Sequence, residues 1–132
     1  MGSIKDLSAY RLEKAKKNLE VVKLLIEDEF YNFAINRSYY AAFDAMRAVN
    51  ALDGFDSSKH SGVIAHFNQN YIKTGYFDAE TSKIIKKAST LREKSDYEDF
   101  FEATREEAEE TYASVKNFIE AVENFLESFS TH

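Results

Sequence analysis

Cysteine and proline are both absent, and only four glycines occur. Without cysteine there is no disulfide framework, no zinc ribbon and no thiol nucleophile. Without proline there are few places where a helix is forced to stop. The glycines stand scattered at 2, 54, 62 and 75, so no phosphate-cradling loop can be built from them. No apolar run approaches the ~18 residues that suggest a membrane-spanning helix. What is present, in 132 residues and 15.2 kDa, is 44% hydrophobic and 30% charged, the composition of one folded domain over 1–132 and not of a disordered tail. Apolar residues do not alternate as in strands, so the expected class is all-α. The first residues carry no apolar region of secretory length, and Asp6 stands where a myristoylation signal would want Ser or Thr. The cytoplasm is therefore the expected compartment.

Charge is graded along the chain. Residues 1–72 hold nine basic and nine acidic side chains, 73–94 hold six basic against three acidic, and 95–132 hold two basic against eleven acidic. The acidic total disfavours broad binding to a nucleic-acid backbone but leaves room for one basic groove. The plainer alternative is a set of solvated helix faces.

Five amphipathic segments follow one another. Leu12, Ala15, Leu19, Val22, Leu25 and Ile26 form one buried stripe of a helix over about 6–29, with the corner at Phe30 or Tyr31. The next helix, about 31–52, is apolar or small nearly all round and should lie at the centre, its alanines allowing close approach. Asp53-Gly54 ends it. Ser57 or Ser58 is expected to cap the third helix, whose buried face is Val63, Ile64, Phe67 and Tyr71, closed at Thr74-Gly75. Asp78 caps a fourth, with Ile84, Ile85, Ala88 and Leu91 inward, before a polar-aromatic loop over 95–101. Thr104 and Glu107 form a capping box for the fifth, whose face runs from Ala108 to Leu126. Short connections give an antiparallel bundle of about five helices.

Candidate chemistry is sparse. Ser57 and Val63 stand three residues before His60 and His66, so the Glu-x-x-His pairs of di-iron bundles are missing; neither a metal nor another cofactor is expected. The second helix carries more information. Arg37 and Asp44 lie seven residues apart, about 20° around a helix, with Tyr40 between them and Arg47 flanking. Charges on a helix otherwise made of Ala, Tyr and Phe need a reason. One is an internal salt bridge that sets register. The other is a polar pocket in which Arg37 grips a phosphate. His60, on the face of Ile64 and Phe67, should turn inward, either as a packing residue or as part of that pocket; His66 should be solvated. The Arg92–Tyr97 segment reads as a structured corner.

The run Asn36-Arg37-Ser38-Tyr39-Tyr40-Ala41-Ala42-Phe43, then Lys59-His60-Ser61-Gly62-Val63-Ile64, then Lys73-Thr74-Gly75, then Leu91-Arg92 with Asp96-Tyr97, resembles the HEPN family, above all its small stand-alone prokaryotic members. The resemblance spans nearly the whole chain. It implies a four- to five-helix bundle that dimerises and a partner that is a minimal nucleotidyltransferase, in a toxin–antitoxin pair. Active HEPN toxins are metal-independent RNases marked by an arginine and, after four to six residues, a histidine. Arg37 matches the arginine. Ala42, Phe43 and Asp44 hold the three histidine positions. Asp44 next to Arg37 is expected to have a lowered pKa, which makes it a poor base and a worse acid. Three readings follow: a nucleotide- or RNA-binding or scaffolding module using Arg37, Tyr40, His60 and Arg47; an RNase using Arg37 with Asp44 or His60; and a purely structural dimeric interaction protein.

Overall fold

The computed structural model describes residues 3–130, apart from the side chain of Ser130; Gly2 and His132 lie outside the described residues. Helix α1 is Ile4–Glu27, α2 Tyr31–Asn50, α3 His60–Phe67, α4 Ala79–Tyr97 and α5 Arg105–Ser130. A 3₁₀ turn, Ala51–Asp53, follows α2, and a π turn, Asn68–Ile72, follows α3. No strand occurs among the described residues, and the class is all-α as expected.

Local chemistry accounts for most boundaries. Ser3 accepts a hydrogen bond from the Asp6 amide at 3.1 Å, so α1 starts slightly before the expected position. It also ends before the expected 29: Glu29 takes a left-handed φ of 65°, and the Phe30 amide returns to the Leu25 carbonyl at 2.8 Å. Neither Ser57 nor Ser58 caps α3. Lys59 holds the N-cap position without a side-chain bond, and the Ser57 hydroxyl accepts from the Lys59 amide at 3.1 Å in a local turn. The third segment is also not one α-helix, because its second half widens into the π turn. There the Tyr71 hydroxyl donates to Asp53 at 2.9 Å while its ring stacks 5.8 Å from Phe67. Gly75, at φ +91°, makes the turn to α4, where Asp78 accepts from the Thr81 amide. Ser95–Tyr97, expected in a loop, continue α4. The Thr104–Glu107 capping box is formed in both directions, at 3.0 and 2.9 Å.

Thirteen of the twenty residues of α2 are buried, against five in each of α1 and α4, so α2 is the axis of the bundle. Ala34, Ala41, Ala42, Ala45 and Ala48 have no exposure at all. Their small side chains let the neighbouring helices close on the α2 backbone. One core cluster joins α2 to Phe67, Phe77, Phe118 and Val122; a second joins Val22, Ile26 and Ile35 to Leu91 and Ala108. The last carbonyls of α2 are also met by α1: Ser8 donates to Ala48 at 2.7 Å, and Arg11 to Arg47 at 3.3 Å beside the Ala51 amide. Both polar side chains are buried in making these bonds.

Candidate functional site

The solvent-facing side of α2 carries Asn36, Arg37, Tyr40 and Arg47, all of them partly or fully exposed. Tyr40 is its centre. The Arg37 guanidinium lies 5.8 Å from the Tyr40 ring, within cation–π range, and the His60 ring meets Tyr40 in a T-shaped contact at 5.6 Å. The first turn of α3 thus delivers His60 onto α2, where it also packs 4.4 Å from Phe43.

His60 Nδ1 is 3.1 Å from the Tyr39 hydroxyl. Burial pushes that phenol up to about 12, so at neutral pH it keeps its proton and shares a hydrogen bond with the imidazole. Burial, with the nearby Arg92 charge second, pushes the His60 pKa down, so the ring is neutral at pH 7. Arg92 itself is buried, 4.8 Å over the Tyr39 ring, and bonds Asp96 at 3.3 Å. Asp96 accepts from the Asn36 amide at 3.1 Å. A chain of polar contacts therefore runs from α2 through α4 and back to His60.

Asp44 lies on the same side of α2, at the flank that meets α1. No salt bridge joins it to Arg37. Asn18 stands between them, donating to the carboxylate at 2.9 Å and accepting from Arg37 at 3.4 Å. The expected lowering of the Asp44 pKa is reversed. The side chain is buried, desolvation is the largest influence and raises the pKa, and Lys14, the Asn18 bond, Arg47 and Arg11 only oppose it. Arg37 is exposed and spends its hydrogen bond on an amide, so it cannot offset the burial.

At the far end of the stripe, Arg47 meets Asp56 at 3.0 Å, and buried Arg11 meets the same carboxylate at 3.3 Å. Two guanidinium groups facing one carboxylate hold the Asp56 pKa down, the Arg47 hydrogen bond contributing most. They also leave one net positive charge beside a shallow hollow lined by Phe43, Ser57 and Ser58.

Of the residues singled out from the sequence, Arg37, Tyr40 and His60 come together, Asp44 is one amide removed, and Arg47 lies further along the same helix. His66 is not solvated as expected: it stacks 3.9 Å from Phe55 and bonds Asp53 at 2.8 Å, pinning the 3₁₀ turn to α3. Sequence reasoning missed Arg11, Asn18, Asn36, Arg92 and Asp96 as members of this constellation. Arg11 had a signal, since it falls four residues before Ala15 on the buried side of α1. Among the described residues there is no group of three or more His, Cys, Asp or Glu placed to hold a metal ion. No described helix is long and apolar enough to cross a membrane.

A family model described as "HEPN domain" matches residues 8–125. The chain is 32% identical over 127 residues to a UPF0332 protein of Thermotoga maritima, covering 96% of each. It is 39% identical over 98 residues to a Methanocaldococcus jannaschii protein named "Putative toxin MJ0142", covering 74% of this chain and 67% of that one. In structure it is similar to TT1696 from Thermus thermophilus, with a TM-score of 0.75 at 20% identity, over 89% of this chain and 97% of that one. At that identity the likeness concerns the fold.

Proposed function

The chain belongs to the HEPN domain family, and we propose that within it this protein is a nucleotide- or RNA-binding module that works as a homodimer beside a minimal nucleotidyltransferase, in a toxin–antitoxin-like pair. One observation carries the reading: an exposed cation, Arg37, lies within cation–π range of a part-buried aromatic ring, Tyr40, and the neutral His60 ring stands perpendicular to it. A guanidinium suits a phosphate and the ring suits a base, which together are the elements of single-strand recognition. The chain's overall charge of −6 confines attraction for a polyanion to such a place. A relative named as a toxin supports a toxin-related role. The nucleotidyltransferase rests on the family resemblance.

A second reading, a metal-independent RNase, draws on Asp44. Its raised pKa brings the carboxyl nearer to proton exchange at neutral pH than an ordinary aspartate. Its placement works against it: the carboxylate is tied to Asn18 on the α1 side, and His60 lies against Tyr39 and Phe43 on the α3 side. Short fluorescent single-stranded RNA, incubated with the purified protein in a chelator, tests both readings. Binding that is lost in Arg37→Ala without cleavage supports the first. Cleavage lost in Arg37→Ala supports the second. Neither binding nor cleavage removes both and leaves a dimeric scaffold, and co-expression with the neighbouring reading frame tests the nucleotidyltransferase.

A further inference from the structure

The outer face of α1 carries a pattern that the fold does not use. Leu7, Tyr10, Val21 and Leu24 are 42%, 63%, 42% and 60% exposed, although all are large and apolar. They fall at alternating three- and four-residue steps, and exposed Lys14 and Lys17 fill the two middle places of the same series. The six residues form a seam three heptads long, about 26 Å at 1.5 Å per residue. Along one flank, seven residues apart, stand exposed Asp6, Glu13, Glu20 and Glu27. The core stripe of α1, including Ala15, Val22 and Ile26, occupies the opposite side.

We propose that this face docks an amphipathic helix of another protein, one with apolar residues at both ends of its seam, acidic residues at the centre and basic residues along the facing flank. Charge decides between occupants. In an antiparallel pair of two copies, Lys14 would face Lys17 and the acidic flank would face itself; in a parallel pair each lysine would face its own copy. Like charges in a seam act against such pairing. An anionic membrane suits the seam but not four carboxylates beside it. A helix carrying Glu or Asp opposite the two lysines satisfies both features. Asn18, which bonds both Arg37 and Asp44, lies one turn beyond Lys14 at the edge of the seam, so the docked helix would border the candidate site.

The test uses the full chain and two fluorescent three-heptad helical peptides, alike in their apolar ends and basic flank, one with Glu and the other with Lys at the two central seam positions. Anisotropy should show the Glu peptide binding at least about tenfold more tightly than the Lys peptide. The double variant Lys14→Glu/Lys17→Glu, whose changes are exposed and whose helicity is checked by circular dichroism, should reverse that preference. Leu24→Ser should weaken both peptides. Equal affinity for the two peptides, no reversal in the double variant, self-association abolished by Leu24→Ser, or binding to phosphatidylserine vesicles in place of the peptides would each overturn the proposal.

Discussion

Salt dependence gives the most direct measure of the Arg37–Tyr40 face. Arg37 forms no ion pair among the described residues, and Arg47 and Arg11 share Asp56, so the face offers two net positive charges. For a single strand the affinity should fall with a log–log slope near −0.7 per phosphate neutralised, or about −1.4 here. Between 50 and 200 mM salt the association constant of a short single-stranded RNA should then drop about sevenfold. Arg37→Ala should halve the slope, so the same change of salt costs only about 2.6-fold. Tyr40→Ala should leave the slope unchanged but weaken binding at every salt concentration by roughly 5- to 150-fold, the worth of one stacked base. Tyr40→Phe should bind nearly as wild type. Arg37 is exposed, so its truncation leaves the core intact; Tyr40 packs against the core, so circular dichroism and a urea melt of Tyr40→Ala accompany its titration. Fluorescence anisotropy titrations at four salt concentrations supply all the slopes. If Arg37→Ala left the slope at its wild-type value, or Tyr40→Ala bound as well as wild type, this face would not be the one that holds RNA.

Five further outcomes are expected. The wild type should show no appreciable metal-independent RNA cleavage, because a well-placed acid–base pair is worth typically ~10²–10⁴-fold, and Asp44→His should give a gain or no change; robust cleavage abolished by Arg37→Ala would reverse this. The raised pKa of Asp44 means that burying its charge costs stability above the folded pKa and nothing below about pH 4, where both states are protonated. Asp44→Asn should therefore be more stable than wild type at pH 7, with the gap closing on acidification in thermal melts; a gap that widened would contradict the sign. The lowered pKa of His60 makes the unfolded chain protonate first, so stability should fall as pH drops from about 6.5 through the folded pKa, a slope that His60→Phe should flatten. Tyr39→Phe, which deletes the hydroxyl bonded to His60, should cost about 1 kcal/mol in urea melts. Light scattering at micromolar concentration should return twice the 15.2 kDa chain mass, and a monomer would count against the dimer.

The helices were legible because their determinants are local. A buried stripe at 3.6-residue spacing, a Thr104–Glu107 capping box and an Asp78 cap each act within a few residues, and all three are present in the structure. The central place of α2 was equally legible, since small and apolar residues cover most of its circumference and leave one narrow side, with Asn36, Arg37 and Arg47, to solvent. The π turn after Phe67 was not, because it depends on Tyr71 reaching Asp53, eighteen residues away.

The candidate site divides along the same line. The sequence by itself determined that Arg37, Tyr40 and Asp44 share one side of a helix, for helical geometry alone dictates it. It also determined that His60 turns toward the bundle. Only the tertiary structure decided what these groups do to one another. Asn18, brought in from α1, separates Arg37 from Asp44 and leaves burial, not the neighbouring cation, in control of the carboxyl pKa. Tyr39 fixes the His60 ring, and Arg92 and Asp96 arrive from a helix some sixty residues further on. Such contacts depend on how far apart two helices pack and which faces they turn inward. Desolvation and hydrogen-bond partners follow from that packing, and the one-dimensional spacing of residues does not contain it.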